Sequence, residues 1–261
     1  MKIYSIISIL AIAVVLCVAS CDKNEINYGV FEKVDPNQTL IKFNVNIALT
    51  ANPSYQIKIN GQRVSLLIPS RYPYPGGGYN TSGDSRADYL PIKTGTNEVS
   101  FTIPKKGTNI DSVELYKTTV NVATGKAYSL HVSDTTSATS APKSLLVEDD
   151  FAIPDSGFVK FRFVHLMPGV GPLDLYNGTT LVKSNVSYLS ASDFFTLPIG
   201  APTGAAWSIR LTGSAATSTA IATYSSASTI TNRKVYTVFA TGYIGKTDAP
   251  RKPYVSFYLI R

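Results

Sequence analysis

The chain has 261 residues, with 24 Lys and Arg against 17 Asp and Glu, a formal charge of +7 at pH 7 and only 16% charged residues. Its cations are scattered or paired (Lys105-Lys106, Arg233-Lys234, Arg251-Lys252), which excludes a nucleic-acid arm built from a basic block. Both cysteines, Cys17 and Cys21, lie at the N-terminus, so folding of the remainder rests on apolar cores without a disulfide framework.

Residues 1–20 have the layout of a secretory signal. Lys2 supplies the positive start, and Ile6 to Ala19 is apolar except for Ser8. That run is shorter than the roughly 20 residues that cross a bilayer. Val18-Ala19-Ser20-Cys21 then reads as the cleavage and lipid-attachment box of a bacterial lipoprotein. Small residues admit a peptidase, the Cys21 thiol takes a diacylglycerol, and the freed amine takes a further chain. Each buried methylene is worth about 0.8 kcal/mol, so two or three chains anchor where one binds only marginally. The expected address is the outer membrane, lipid-anchored and facing either the periplasm or the medium. Residues 21–38 are polar and mixed in charge and read as a tether. Asp22-Lys23-Asn24-Glu25 loosely resembles the acidic export signals of Bacteroidota surface lipoproteins.

Beyond the tether the pattern is all-β. Leu40 to Ile47 alternates, with Ile41, Phe43, Val45 and Ile47 on one face and Lys42, Asn44 and Asn46 on the other, as in a half-buried strand. Tyr55 to Ile59 alternates again and meets Asn60-Gly61, a two-residue hairpin signal that predicts a return strand over Arg63 to Ile68. Val99 to Ile103 and Lys126 to Val132 are further strands, with Thr124-Gly125 as a turn. The second half repeats the first. Val159 to Phe163 matches Leu40 to Asn44, Asp174 to Gly178 matches Ile57 to Gly61, and Asp193 to Ile199 matches Asp88 to Ile92. Lys234 to Val238 matches Lys126 to Leu130, and Ala249-Pro250 matches Ala141-Pro142. This order predicts two tandem immunoglobulin-like antiparallel β-sandwiches, residues 39–149 and 158–261, joined by a linker over 150–157. The final strand, Tyr254 to Ile260, closes the chain.

The residues Val159-Lys160-Phe161-Arg162-Phe163-Val164-His165, Pro168 and Asp174-Leu175-Tyr176-Asn177-Gly178 resemble the opening of domain-of-unknown-function family 4397. Ser190 to Phe194, Leu197 to Gly200 and Lys234 to Val238 resemble it too. The resemblance covers Phe158 to about Ile244, and the first copy is degenerate, lacking the histidine and the proline. It implies a β-sandwich, frequent tandem copies and an envelope address, and no established activity.

Candidate chemistry is sparse. His165 with Asp174 and a nearby Ser would serve an accessory hydrolase at the envelope, but no Gly-x-Ser-x-Gly elbow accompanies them, and a structural histidine is the simpler reading. Glu148-Asp149-Asp150 reads as a solvated acidic linker rather than a calcium loop. No catalytic, cofactor or metal residues are assigned. The stretch Arg71 to Arg86 is an insertion relative to the second repeat. Its Tyr72, Tyr74 and Tyr79, set among prolines and Gly76-Gly77-Gly78, are the candidate ligand contacts, because exposed tyrosines stack on sugars or anchor protein interfaces. Asp111-Ser112-Val113 and Asp134-Thr135-Thr136 resemble O-glycosylation tripeptides, which makes Ser112 and Thr135 candidate acceptors. The expectation is a non-catalytic binding or structural module for a glycan or another envelope protein, held to the membrane through Cys21.

Overall fold

The computed structural model describes residues 38–47, 49, 51–79, 86–108, 110–133, 143–200, 205–225 and 230–261. The signal run, Cys21, the tether up to residue 37 and Thr135 lie outside the described residues.

The protein is all-β. The first repeat carries β1 (Leu40–Asn46), β2 (Gln56–Ile59), β3 (Gln62–Arg63), β4 (Gly78–Tyr79), β5 (Leu90–Pro91), β6 (Gly95–Pro104), β7 (Asp111–Val122), β8 (Ala127–Ser133) and β9 (Ser144–Asp149). The second carries β10 (Phe158–Leu166), β11 (Leu173–Asn177), β12 (Thr180–Val186), β13 (Ser190–Ala191), β14 (Phe195–Pro198), β15 (Trp207–Leu211), β16 (Ala222–Tyr224), β17 (Val235–Thr241) and β18 (Tyr254–Leu259). In the first sandwich the sheet β5-β1-β8-β9 packs on β3-β2-β6-β7. In the second, β13-β10-β17-β18-β4, with β14 also on β10, packs on β12-β11-β15-β16. The alternating apolar faces fill these cores: Ile41, Phe43 and Val45 meet Ile57, Val99 and Phe101, while Phe161 and Phe163 meet Leu175, Trp207 and Ile209.

The backbone register defines the repeat. Strands β1 and β8 run parallel, as do β10 and β17. Leu40 N donates to Lys126 O and Lys160 N donates to Lys234 O, so Leu40 corresponds to Lys160. The ladder thus shifts the sequence match, which set Val159 against Leu40, by one residue. Because side chains alternate faces, that shift decides which residues share a side. Phe161 takes the core place of Ile41, and Lys42 and Arg162 become equivalent residues on the opposite face.

The Asn60-Gly61 turn forms as predicted, with φ of 49° and 79°. Its return strand is shorter than predicted. Only Gln62 and Arg63 pair regularly with β2, and the ladder resumes at a single bridge, Tyr55 with Ile68. Between them the Ser65 hydroxyl accepts from Ile57 N at 2.8 Å, so a side chain occupies a backbone acceptor's place.

The two sandwiches lie side by side with their ends level. At the end where β1 begins, the base, Lys42 Nζ donates to Leu259 O and Arg162 Nη1 donates to Glu148 O. Toward the other end, the apex, Ser133 Oγ donates to Leu166 O. At the apex itself the Arg71 side chain reaches the loop before β18. Two-residue strand β4, from the Arg71–Arg86 insertion of the first repeat, adds an edge to the second repeat's sheet by pairing with β18.

Candidate functional site

The face of β1 opposite its core does not meet solvent. Lys42, Asn44 and Asn46 are all fully or nearly fully buried. Lys42 reaches the second repeat, Asn44 and Asn46 bond to His131 and to each other, and this polar stripe lies beside an apolar cluster of Val164, Leu166, Phe239, Tyr258 and Ile260, against which Leu145 of the first repeat packs. Arg162 pairs with Asp149, with side chains 2% and 0% exposed. The same carboxylate accepts from Ser129 Oγ at 2.7 Å and Tyr89 Oη at 2.9 Å, and Arg162 also donates to Thr237 Oγ1. This corrects the reading of Glu148-Asp149-Asp150 as a solvated linker. Asp149 ends β9 in the ladder with β8 and is turned inward against Arg162.

Lys42 Nζ donates to Arg86 O at 2.8 Å and lies over the rings of Tyr89 and Tyr258. Burial lowers its pKa to about 8 against the opposing pull of Asp149 and Asp88. His131 takes a proton donor on Nδ1, the Asn44 side-chain amide, and lies 3.1 Å from Tyr258 Oη through Nε2. The ring is therefore a neutral Nε2–H tautomer that donates to the tyrosine, and burial holds its pKa well below the ordinary histidine value. These groups bind one another and knit the repeats together.

His165 has a comparable role in the second repeat. Met167 N donates to its Nδ1, and Nε2 faces Gly171 O at 3.2 Å, so both ring nitrogens hold the turn after β10. Burial lowers its pKa to about 4. Its predicted partner Asp174 accepts instead from Asn185 N, Thr212 Oγ1 and Gly213 N, and braces the loop after β15. The two do not form a catalytic pair. No group of three or more metal-ligating side chains comes together among the described residues.

The three candidate tyrosines separate. Tyr74 exchanges both backbone hydrogen bonds with Phe43 and donates its hydroxyl to Val64 O, so it is packed against the first core rather than offered as an open face. Tyr79 is placed by its backbone pairing with Phe257 in β18. Tyr72 is half-buried, packs in part against the same core, and lines a cleft of about 480 Å³ at the apex, where the repeats meet. Asn52 and Arg71 share the first repeat's wall, and Thr223, Lys252 and Tyr254 supply the second's.

Arg71 ties the cleft's two walls together. It sits in the left-handed region at φ 69°, which aims its side chain across the junction. Its guanidinium stacks 4.3 Å from the centre of the Tyr254 ring and donates to Ala249 O and Lys252 O. The opposing loop is held by glycine. Gly242 has φ 102°, and a Cβ there would lie 2.3 Å from Lys252 O. No sequence signal could have joined Arg71 to Lys252, because they are distant in the chain and meet only through the packing of two sheets. Ser112 is exposed on β7.

These features define a double β-sandwich whose repeats share a buried seam and an apical cleft. The chain belongs to the family described as Domain of unknown function (DUF4397), which matches residues 47–176 and 162–251. No curated protein matches the chain.

Proposed function

We infer that this protein is a non-catalytic binding module of the cell envelope, exported and held at the outer membrane by lipid on Cys21, and that its apical cleft receives a glycan. The observation that carries this reading is the cleft itself. It is open, polar and walled by both repeats, and its lining includes Tyr72, Asn52, Thr223 and Lys252. Aromatic faces flanked by amide, hydroxyl and ammonium groups suit a sugar, which offers an apolar ring face and peripheral hydroxyls. The side chains with catalytic potential, His131, His165, Asp149 and Arg162, are occupied in holding the fold.

Two experiments test this. Radiolabelled palmitate should enter the wild-type protein and not Cys21→Ala, and equal labelling would remove the anchor. A glycan array probed with the wild type and with Tyr72→Ala should show a saccharide class bound by the first and lost from the second. Binding instead to an envelope protein, with no saccharide retained, would replace the glycan while keeping a non-catalytic module.

A further inference from the structure

The apex of the first repeat carries a second surface, distinct from the cleft. Leu66 is 73% exposed, Leu67 49%, Ile110 58% and Val113 48%, four of the ten exposed large apolar side chains among the described residues. They fall on two adjoining segments. Ile110 O accepts from Lys105 N in the β6–β7 turn, and Val113 pairs with Ile103. Leu67 shares a groove of about 630 Å³ with Arg63, Ile103, Lys105 and Lys106. Leucines and isoleucines bare to water on a turn gain nothing for folding, since burial is what makes them favourable.

The exposed charges around them are predominantly positive, with Asp111 beside Ile110 and Glu114 beside Val113 as the acids. Arg63, Lys105 and Lys106 are exposed. Residues 51–70 and 99–110 contain no acid. The nearest, Asp111, is engaged by Lys58 Nζ at 2.8 Å and by the Gln56 amide at 2.9 Å. Glu114 lies further along β7, opposite Thr102. We propose that this tip docks on an anionic lipid surface, with Leu66, Leu67 and Ile110 entering the headgroup boundary and Arg63, Lys105 and Lys106 meeting the lipid phosphates. Apolar side chains that enter acyl chains, flanked by cations, are the chemistry of interfacial binding to a charged leaflet. A free acidic glycan would satisfy the cations and leave the leucines in water.

The geometry allows it. The ten-residue strand β6 separates tip from base by about 33 Å at ~3.3 Å per residue. Sixteen residues lie between Cys21 and Gln38, which makes seventeen Cα–Cα steps. Fully extended, they span about 60 Å. A chain anchored through Cys21 has the reach to bring its tip onto the same leaflet.

The test uses the full chain with Cys17→Ala and Cys21→Ala, and an environment-sensitive fluorophore on Leu67→Cys. The N-terminal apolar run brings every variant to vesicles, so the probe reports the tip alone. The expected result is a blue shift with phosphatidylcholine vesicles containing phosphatidylglycerol, none with phosphatidylcholine alone, and loss of the shift in Lys105→Glu/Lys106→Glu or at high salt. No shift on anionic vesicles, an equal shift on neutral ones, or the same shift from a probe on Leu181→Cys in the second repeat would each overturn the proposal.

Discussion

Arg162, in the first strand of the second repeat, and Asp149, the last residue of the first repeat's final strand, form an ion pair from which water is excluded on both sides. A buried charge left without its partner is costly, about 3–5 kcal/mol, whereas replacing both charges by apolar groups is often neutral. Asp149→Asn and Arg162→Met should therefore each lower the free energy of unfolding by about that amount in urea titration. The double variant Asp149→Leu/Arg162→Met should recover much of the loss, and a fully additive pair would show that the two residues are not coupled.

Lys42 predicts a stability change in mild alkali. Its folded pKa, lowered by burial to about 8, lies below the 10.5 of the unfolded chain. Between those values the unfolded state binds more protons, so stability rises with pH from about 8 upward, and the cost of burying the charge is fully present below 8. The rise is up to roughly 3 kcal/mol across the full interval. Near pH 10 it is opposed, because burial raises the pKa of Tyr258 and Tyr89, and the unfolded tyrosines ionise first. Lys42→Met should flatten the rise between pH 8 and 10 in chemical denaturation.

The two histidines predict the acid limb. His131 and His165 are held neutral, both with folded pKa below 6.5 through burial. The unfolded chain takes up their protons first, so stability falls as pH drops below 6.5. The share owed to His165 continues falling to about pH 4. Denaturation midpoints of His165→Gln should fall less between pH 6.5 and 4 than those of the wild type.

The edge strand β4 depends on a glycine. A Cβ on Gly78 would stand 2.0 Å from Phe257 O, so the strand cannot lie against β18 with any side chain there. Gly78→Val should detach it and expose the edge of β18. Hydrogen exchange should then accelerate in Phe257 and Tyr258 while Trp207, in the opposite sheet, keeps its protection.

The apolar half of the architecture was legible in the sequence and the polar half was not. Ile41, Phe43 and Val45 announce a strand face by alternation, and Asn60-Gly61 announces its turn through the left-handed conformation that those residues tolerate. The same alternation made Lys42, Asn44 and Asn46 read as a solvent face. A polar stripe facing water and one facing a second sheet have the same period, and only the fold tells them apart. Asp149 misled for the same reason, since its partner Arg162 lies beyond a linker. At the cleft, the insertion pointed to Tyr72, but Tyr74 carries the same composition signal and is taken up by the backbone ladder with Phe43. Which tyrosine faces a cleft is set by a pairing register that composition does not encode.

The central claim, that the two repeats together build one glycan site at the apex, is tested most directly by titrating the saccharide class found on an array against wild type, Tyr72→Ala and Lys252→Ala by calorimetry. Both residues line the cleft, one from each repeat. Binding should weaken at least about tenfold in each variant, the loss of roughly 1.4 kcal/mol expected of a central aromatic or charged contact. Unchanged affinity in both, or no saccharide bound by the wild type, would contradict it.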